Sequence, residues 1–378
     1  MKKSWIRPGA FGVMALVMGC DIGDHSKLAT GDTSSGAGGA DTSSGGGAGG
    51  SAASPVSGLP VPPGAGGEAA PSGAAGNLQV VPWAGFTSAV TYTFDDAQPS
   101  QIQHWPDLKA EGIRATFYLN TMNQSSEVDF DATWADALAS GWELGNHTVH
   151  HCYEDGMCIN GATFTTVDAE LDDVSTYITG TAKQADVWTG AYPYGDANWE
   201  PAAKPRFALA RGIYSGTITP QTSADPYNLP CIAAIAAGGE PASTFIADVD
   251  MAKSQGAWMI FLFHTITPSP DIWYAPTDIG SITGSIDHAK SLGDVWIDTL
   301  ANVGAYWLGA KLVTAISPAT SGGTSTWTWT LPAHFPKGKY VRVTVGGGKL
   351  TQGGQALTWS GHGFYEVSLD AGSLTLAP

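Results

Sequence analysis

Runs of period two and runs of helical period take turns along the chain. Ala89-Val90-Thr91-Tyr92-Thr93-Phe94 alternates and is β-branched, which predicts a strand. Residues 115–119 and the short stretch 142–144 predict two more. Val167, Leu171, Val174 and Ile178 recur at helical spacing and predict an amphipathic helix over residues 166–179. Helical stretches are also expected at 102–110 and 285–303, and strands at 186–189 and 212–219. Trp258-Met259-Ile260-Phe261-Leu262-Phe263 is apolar without a break and is bounded by Gly256 and His264. Such a run suits a strand covered on both faces.

Strands that alternate with helices, with polar residues just past the strand ends, predict an α/β fold. The expected architecture is a deformed parallel (β/α) barrel with its site at the C-terminal face. An open doubly wound sheet is the alternative. From residue 318 the texture changes. Residues 324–331 alternate Trp and Thr, and 340–345, 356–359 and 364–369 are short apolar runs separated by Gly. A small antiparallel β module is expected there, over 318–378. It either binds sugar or caps the barrel, and a shared face for Trp327 and Trp329 favours capping. Gly346-Gly347-Gly348-Lys349 lacks the spacing of a phosphate loop and is expected to be a turn.

Upstream, residues 21–77 are mostly Gly, Ser, Ala, Thr and Pro. With few large apolar groups to bury, such a segment cannot offset its chain entropy, so a flexible linker is expected. Residues 1–20 carry Lys2, Lys3 and Arg7 before a short apolar stretch, Phe11 to Met18. That is an export signal, too short to span a bilayer comfortably. It ends in Val17-Met18-Gly19-Cys20, which resembles a bacterial lipobox. Lipidation of Cys20 and an envelope location follow as expectations, with plain secretion as the alternative. The catalytic domain is expected over 78–317, tethered to the membrane only through its lipid anchor.

Charge narrows the partners. Lys and Arg number 17 against 34 Asp and Glu, a balance of −17. Phosphate binding needs a basic surface, so nucleic acid is excluded as an expected partner. A neutral polysaccharide would feel no repulsion. An exported protein is permitted disulfides. Cys152 and Cys158 are close in sequence and are the expected pair, although Cys152–Cys231 is open.

Two distant fragments carry the chemistry. Thr93-Phe94-Asp95-Asp96 ends a strand with two carboxylates, and His147-Thr148-Val149-His150-His151 holds imidazoles four residues apart, with His150 competing. One Asp and two His are a common ligand set for Zn²⁺ with an open position, and the spare Asp can accept a proton. The same ligands also take Co²⁺ or Ni²⁺. Glu of the zinc-peptidase HExxH pattern is replaced by Thr148, which argues against a peptidase.

These fragments resemble the polysaccharide deacetylases of the NodB-homology group, carbohydrate esterase family 4. The further motifs are Ala191-Tyr192-Pro193-Tyr194, where the family has R-x-P-Y, and Phe261-Leu262-Phe263-His264. The resemblance spans about residues 90–307. It implies a deformed (β/α) barrel and a hydrolase that removes N- or O-acetyl groups from a carbohydrate polymer. It implies metal ligands Asp96, His147 and His151, the base Asp95, the acid His264 and an oxyanion donor in the Tyr194 backbone N–H. Trp273 and Tyr274, in a loop after His264, either flank the substrate groove or form a packed lid. Two departures stand out. Ala191 replaces the Arg that pairs with the base, with Arg114 or Arg211 as substitutes. No clear counterpart exists for the family's Asp that orients the catalytic His, with Asp225 a candidate by region. The alternative to a hydrolase is therefore a deacetylase-like lipoprotein that binds carbohydrate with impaired turnover.

Overall fold

The computed structural model describes residues 57–122, 124, 129–236 and 239–378. The expected signal segment, Cys20 and the linker up to residue 56 lie outside the described residues.

Eight strands form the central sheet: β1 (Ser88–Asp95), β2 (Thr116–Leu119), β3 (Glu143–Asn146), β4 (Thr189–Ala191), β5 (Leu209–Arg211), β6 (Ile232–Ala233), β7 (Trp258–Phe263) and β8 (Val295–Ile297). Their order is β5-β4-β3-β2-β1-β7-β6, and β8 pairs with the start of β1. Every pairing is parallel. This is the expected deformed barrel rather than a doubly wound sheet.

Alternation along each strand divides the residues between two faces. Val90, Tyr92 and Phe94 of β1 and Met259, Phe261 and Phe263 of β7 join one core, with Leu108, Trp134, Leu171, Val174 and Ile282. Those partners come from α2 (Trp105–Ala110), α3 (Phe130–Ala139), α4 (Val167–Gly180) and α7 (Ile279–Ser291), and α5 (Glu200–Ala203) and α6 (Ala242–Gln255) add Ala203 and Phe245 to the same core. Ala89, Trp258, Ile260 and Leu262 belong to a second core on the opposite face. It is filled by α8 (Leu300–Ala315) and by the C-terminal strands. The unbroken apolar run of β7 is thus read by two cores at once, as its composition required.

The C-terminal module is antiparallel and more extensive than expected. It contains β9 (Ala319–Ser321), β10 (Thr324–Thr328), β11 (Tyr340–Thr344), β12 (Lys349–Gln352), β13 (Gln355–Ala356), β14 (Trp359–Ser360), β15 (Phe364–Ser368) and β16 (Ser373–Ala377). Trp327 and Trp329 are buried, and Trp329 Nε1 donates to the Leu369 carbonyl at 2.7 Å. Among its described residues no large apolar side chain is exposed. The module seals the second core, with Val341 and Leu369 against Gly309 of α8.

Several expected boundaries move. Residues 57–77, expected within the flexible linker, instead lie along this module. Ser57 Oγ donates to Glu366 at 2.6 Å, Glu68 N to the Gly361 carbonyl at 2.8 Å, and buried Arg342 holds the Pro60 carbonyl at 2.9 Å. Backbone hydrogen bonding to a sheet replaces the missing apolar burial. The helix expected over 285–303 is α7, β8 and α8, because Val295-Trp296-Ile297 pairs with Ser88-Ala89-Val90. The strand expected at 186–189 is β4, shifted to Thr189–Ala191, whereas residues 212–219 form no strand beyond an isolated bridge from Ile218 to Trp258; β5 lies just before them, where the register sets Thr189 opposite Leu209 and Ala191 opposite Arg211. The helix at 102–110 is two short ones, α1 (Pro99–Gln103) and α2, divided at His104.

Candidate active site

The second, α8-facing side of the sheet carries the polar residues at its C-terminal end. Parity on β1 turns Asp95 to this face, after Thr91 and Thr93. On β3 it turns His147, one residue past the strand, after Glu143 and Gly145. On β7 it turns His264, one past Phe263, and on β5 it turns Arg211. Pairing of Phe94 with Phe263 brings Asp95 beside His264.

Asp96, His147 and His151 converge. Each offers a ligand atom within 4.8 Å of the others. His147 Nε2 and His151 Nε2 each lie 3.4 Å from Asp96 Oδ1. Tetrahedral bonds of about 2.1 Å to a zinc ion would space its donors by about 3.4 Å. Asp96 Oδ1 is buried and has no hydrogen-bond partner among the described residues. Leaving a buried acceptor unused costs about 1–3 kcal/mol, so the triad fits a divalent cation. Backbone strain adds to the cost. Asp96, Thr148, His151 and Tyr194 all hold positive φ, at 81°, 62°, 52° and 56°. Left-handed non-Gly residues cost on the order of 1–3 kcal/mol each and gather at functional sites.

The three candidate ligands are fixed from behind. His147 Nδ1 lies 2.8 Å from the Ala191 carbonyl, so it donates and leaves Nε2 free to ligate. Asp96 Oδ2 accepts from Gln98 Nε2 at 2.9 Å, and Gln98 Oε1 accepts from Thr265 Oγ1 at 2.6 Å. Gln101 Nε2 ties the carbonyls of Asp95 and His264 together at 2.6 and 3.0 Å. The turn from His147 to His151 is knitted by Asn146 Oδ1 to Thr148 N, at 2.9 Å, and by Thr148 Oγ1 to His151 N, at 3.1 Å. His150 is removed from the competition: its Nδ1 pairs with buried Glu170 of α4 at 2.8 Å. Cys152 and Cys158 are joined as a disulfide directly behind His151, and Cys231 is free and buried.

Electrostatics agree with this division of labour. Burial alone would raise the Asp96 carboxyl, but the His147 and His151 rings hold it well below the usual range. Burial and the neighbouring His147 push His151 down to about 4, which keeps it unprotonated and able to ligate. Burial lowers His147 as well, yet Asp95 and Asp96 outweigh it and leave the ring above its ordinary value. Burial likewise lowers His264. Its Nδ1 is buried without a partner among the described residues. Asp225, the candidate orienter, instead accepts from Tyr227 N at 2.9 Å in its own turn.

Asp95 is 3% exposed and makes a two-oxygen ion pair with the Arg211 Nη2, the Oδ1 contact being 2.6 Å. Arg114 goes elsewhere, to Asp298 at 2.5 Å. Tyr194 packs edge-on against His151 at 4.4 Å between ring centres and stacks on Tyr153. On the other side Tyr274 meets His264 edge-on at 4.8 Å. Trp273 and Tyr274 are 45% and 56% exposed, so they are not a packed lid. A separate apolar cavity of about 700 Å³ lies by α8, Trp83 and Trp327, and it contains none of these residues.

The polysaccharide deacetylase family model matches residues 87–204. Over those residues the chain is similar to the polysaccharide deacetylase family. The matched span holds Asp95, Asp96, His147, His151 and Tyr194, and ends before Arg211 and His264. A probable peptidoglycan-N-acetylglucosamine deacetylase from Arthroderma benhamiae is 32% identical over 91 residues, covering 24% of this chain and 20% of that protein. Among solved structures, the T48 deacetylase with substrate aligns over 58% of this chain and 91% of its own, with 17% identity and a TM-score of 0.41. A family 4 carbohydrate esterase from Streptomyces lividans in complex with acetate gives 57%, 92%, 15% and 0.39. The sequence signal of this site was legible in its acids and imidazoles. Gln98, Gln101, Glu170 and Arg211 were missed or left open, since only the fold brings them to the site.

Proposed function

We propose that the protein is a metal-dependent hydrolase that removes acetyl groups, amide- or ester-linked, from a carbohydrate polymer. The observation that carries this reading is the unpartnered Asp96 Oδ1 facing two imidazole nitrogens, with a second carboxylate, Asp95, beside it. A divalent ion, most simply Zn²⁺, would be held by Asp96, His147 and His151 and would supply Lewis acidity and an activated water. Asp95 accepts the proton that the attacking water gives up. Arg211 keeps that carboxylate ionised and aimed. His264, on the neighbouring strand, delivers a proton to the departing amine or alkoxide. The Tyr194 backbone N–H stabilises the oxyanion. Trp273 and Tyr274 offer exposed ring faces to the sugars that flank the scissile group.

A binding-only reading rested on Ala191. The Arg211–Asp95 pair supplies a cation where Ala191 has none, which supports the hydrolase reading. Acetate release from a panel of acetylated oligosaccharides tests the proposal. Release should vanish on chelation and return with Zn²⁺. Asp95→Asn should retain the metal by elemental analysis and lose about 10²–10⁴-fold in kcat. A panel that yields no acetate with zinc-loaded protein would sink the reading. We further infer, from the basic start and Val17-Met18-Gly19-Cys20, an exported protein anchored through lipidated Cys20.

A further inference from the structure

We propose that the mouth of the site is a docking face for the packed surface of a neutral, insoluble polysaccharide. This deepens the hydrolase reading above and rests on it for the substrate class. Ten large apolar side chains are exposed among the described residues, and eight of them follow the C-terminal ends of β3, β5, β6 and β7. Parallel strands put all those ends at one edge of the sheet, the edge that carries Asp95, His147 and His264. Single exposed apolar residues are ordinary; their confinement to one edge marks a contact face.

These stretches are held to the framework of the site. Asn160 Nδ2 donates to the His150 carbonyl at 2.8 Å and keeps Ile159 beside the loop of His147 and His151. Ile213 lies over Gly195, where a Cβ would collide with its side chain, next to Tyr194. The Tyr214 carbonyl accepts from Cys231 N at 3.0 Å, and Ala234 N, just before Ile235, donates to the Leu262 carbonyl at 2.9 Å. Ile272 directly precedes the two rings beside His264. Leu229 bridges to Arg211 and closes the side between β5 and β6, so the exposed groups run from β3 past β5 and β6 to β7. An oligosaccharide in solution fills only the groove across such a mouth, whereas a rim on several sides of it is met by a surface. Charge selects which surface. The loops at this edge, residues 96–98, 120–129, 147–166, 192–199, 212–231, 234–241 and 264–278, contain no Lys or Arg. An anionic bilayer or polymer requires basic residues there. Packed sugar rings present uncharged C–H faces, which aliphatic and aromatic side chains cover without stranding a polar group.

The test uses the full chain, zinc-loaded, with Cys20→Ser so that no acyl group contributes to binding. Sedimentation with chitin powder and with insoluble acetylated xylan gives the affinity for solid glycan. Soluble acetylated oligomers of the same two glycans give kcat and KM. Ile159→Ser/Ile235→Ser/Ile272→Ser changes one side chain in each of three loops, 65%, 59% and 59% exposed, so the fold should hold. The triple variant should lose about tenfold in affinity for the powder its parent binds, from the apolar area withdrawn. Its kcat and KM on oligomers should stay at the parent's values. A parent that sediments with neither powder overturns the proposal. So does an unchanged affinity in the variant, or an oligomer KM that rises as far as the powder affinity falls. Co-sedimentation of the parent with phosphatidylcholine vesicles also overturns it, by making the rim a lipid contact. Should the parent release no acetate from powder or oligomer, the hydrolase reading fails, and the sedimentation still decides what the rim binds.

Discussion

At the scale of single residues, the site depends on groups that never touch the reacting atoms. Gln98 illustrates this. It spans Asp96 Oδ2 and Thr265 Oγ1, and so links the ligand-bearing end of β1 to the residue after His264. Gln98→Leu keeps the volume but leaves one oxygen of Asp96 without its donor. Zinc affinity should fall about 10–100-fold, measured by competition with a chelator, while the fold melts near the wild-type temperature. An unchanged affinity would show that the backbone at Asp96 alone orients the ligand. Gln98 was invisible in the sequence because a glutamine two residues beyond an Asp-Asp pair carries no periodic or motif signal. The carboxylates and imidazoles were visible because their chemistry is rare in that combination.

Elements position what residues supply. The loop from His147 to Cys158 leaves β3, passes the ligand His151 and closes on itself through Cys152–Cys158. A cross-link over so short a loop is worth about 2 kcal/mol by chain entropy. Cys152→Ser/Cys158→Ser should lower the denaturation midpoint accordingly and weaken zinc binding, whereas reduction should do nothing further to the double variant. The loop after β7 has a different task. Trp273 N and Tyr274 N both donate to Thr265 Oγ1, at 3.2 and 3.1 Å, which holds two exposed rings beside His264. Trp273→Ala and Tyr274→Ala should each raise KM for acetylated oligomers about three- to tenfold, as lost aromatic contacts of about 1 kcal/mol would. Turnover of a small activated acetyl ester should hold steady. Boundaries at this scale were only partly legible. Strand β8 hides between two helices because three residues have no period of their own, and its identity comes from pairing with Ser88, Ala89 and Val90.

Taken together, the described residues from 57 onward form one parallel sheet with a helical layer on one face and α8 with a β module over the other. The module's tryptophans are consumed in its own core, and segment 57–77 lies against it. The anchor proposal belongs at this scale. Expressed in a bacterium fed a labelled fatty acid, the protein should incorporate label, and Cys20→Ser should incorporate none. A soluble, unlabelled wild-type protein would leave plain export in its place.

The sequence alone carried what depends on local pattern and rare chemistry. Alternation marked β1, an unbroken apolar run marked β7, and helical spacing marked α4. The pairing of two acids with two spaced imidazoles pointed to the metal-assisted hydrolase proposed above. Tertiary structure decided what depends on register. Which strand lies beside which is set by side-chain packing on two faces, and no local pattern encodes it. That is why a missing arginine at residue 191 could be read as a defect, while the fold places Arg211, twenty residues later, against Asp95.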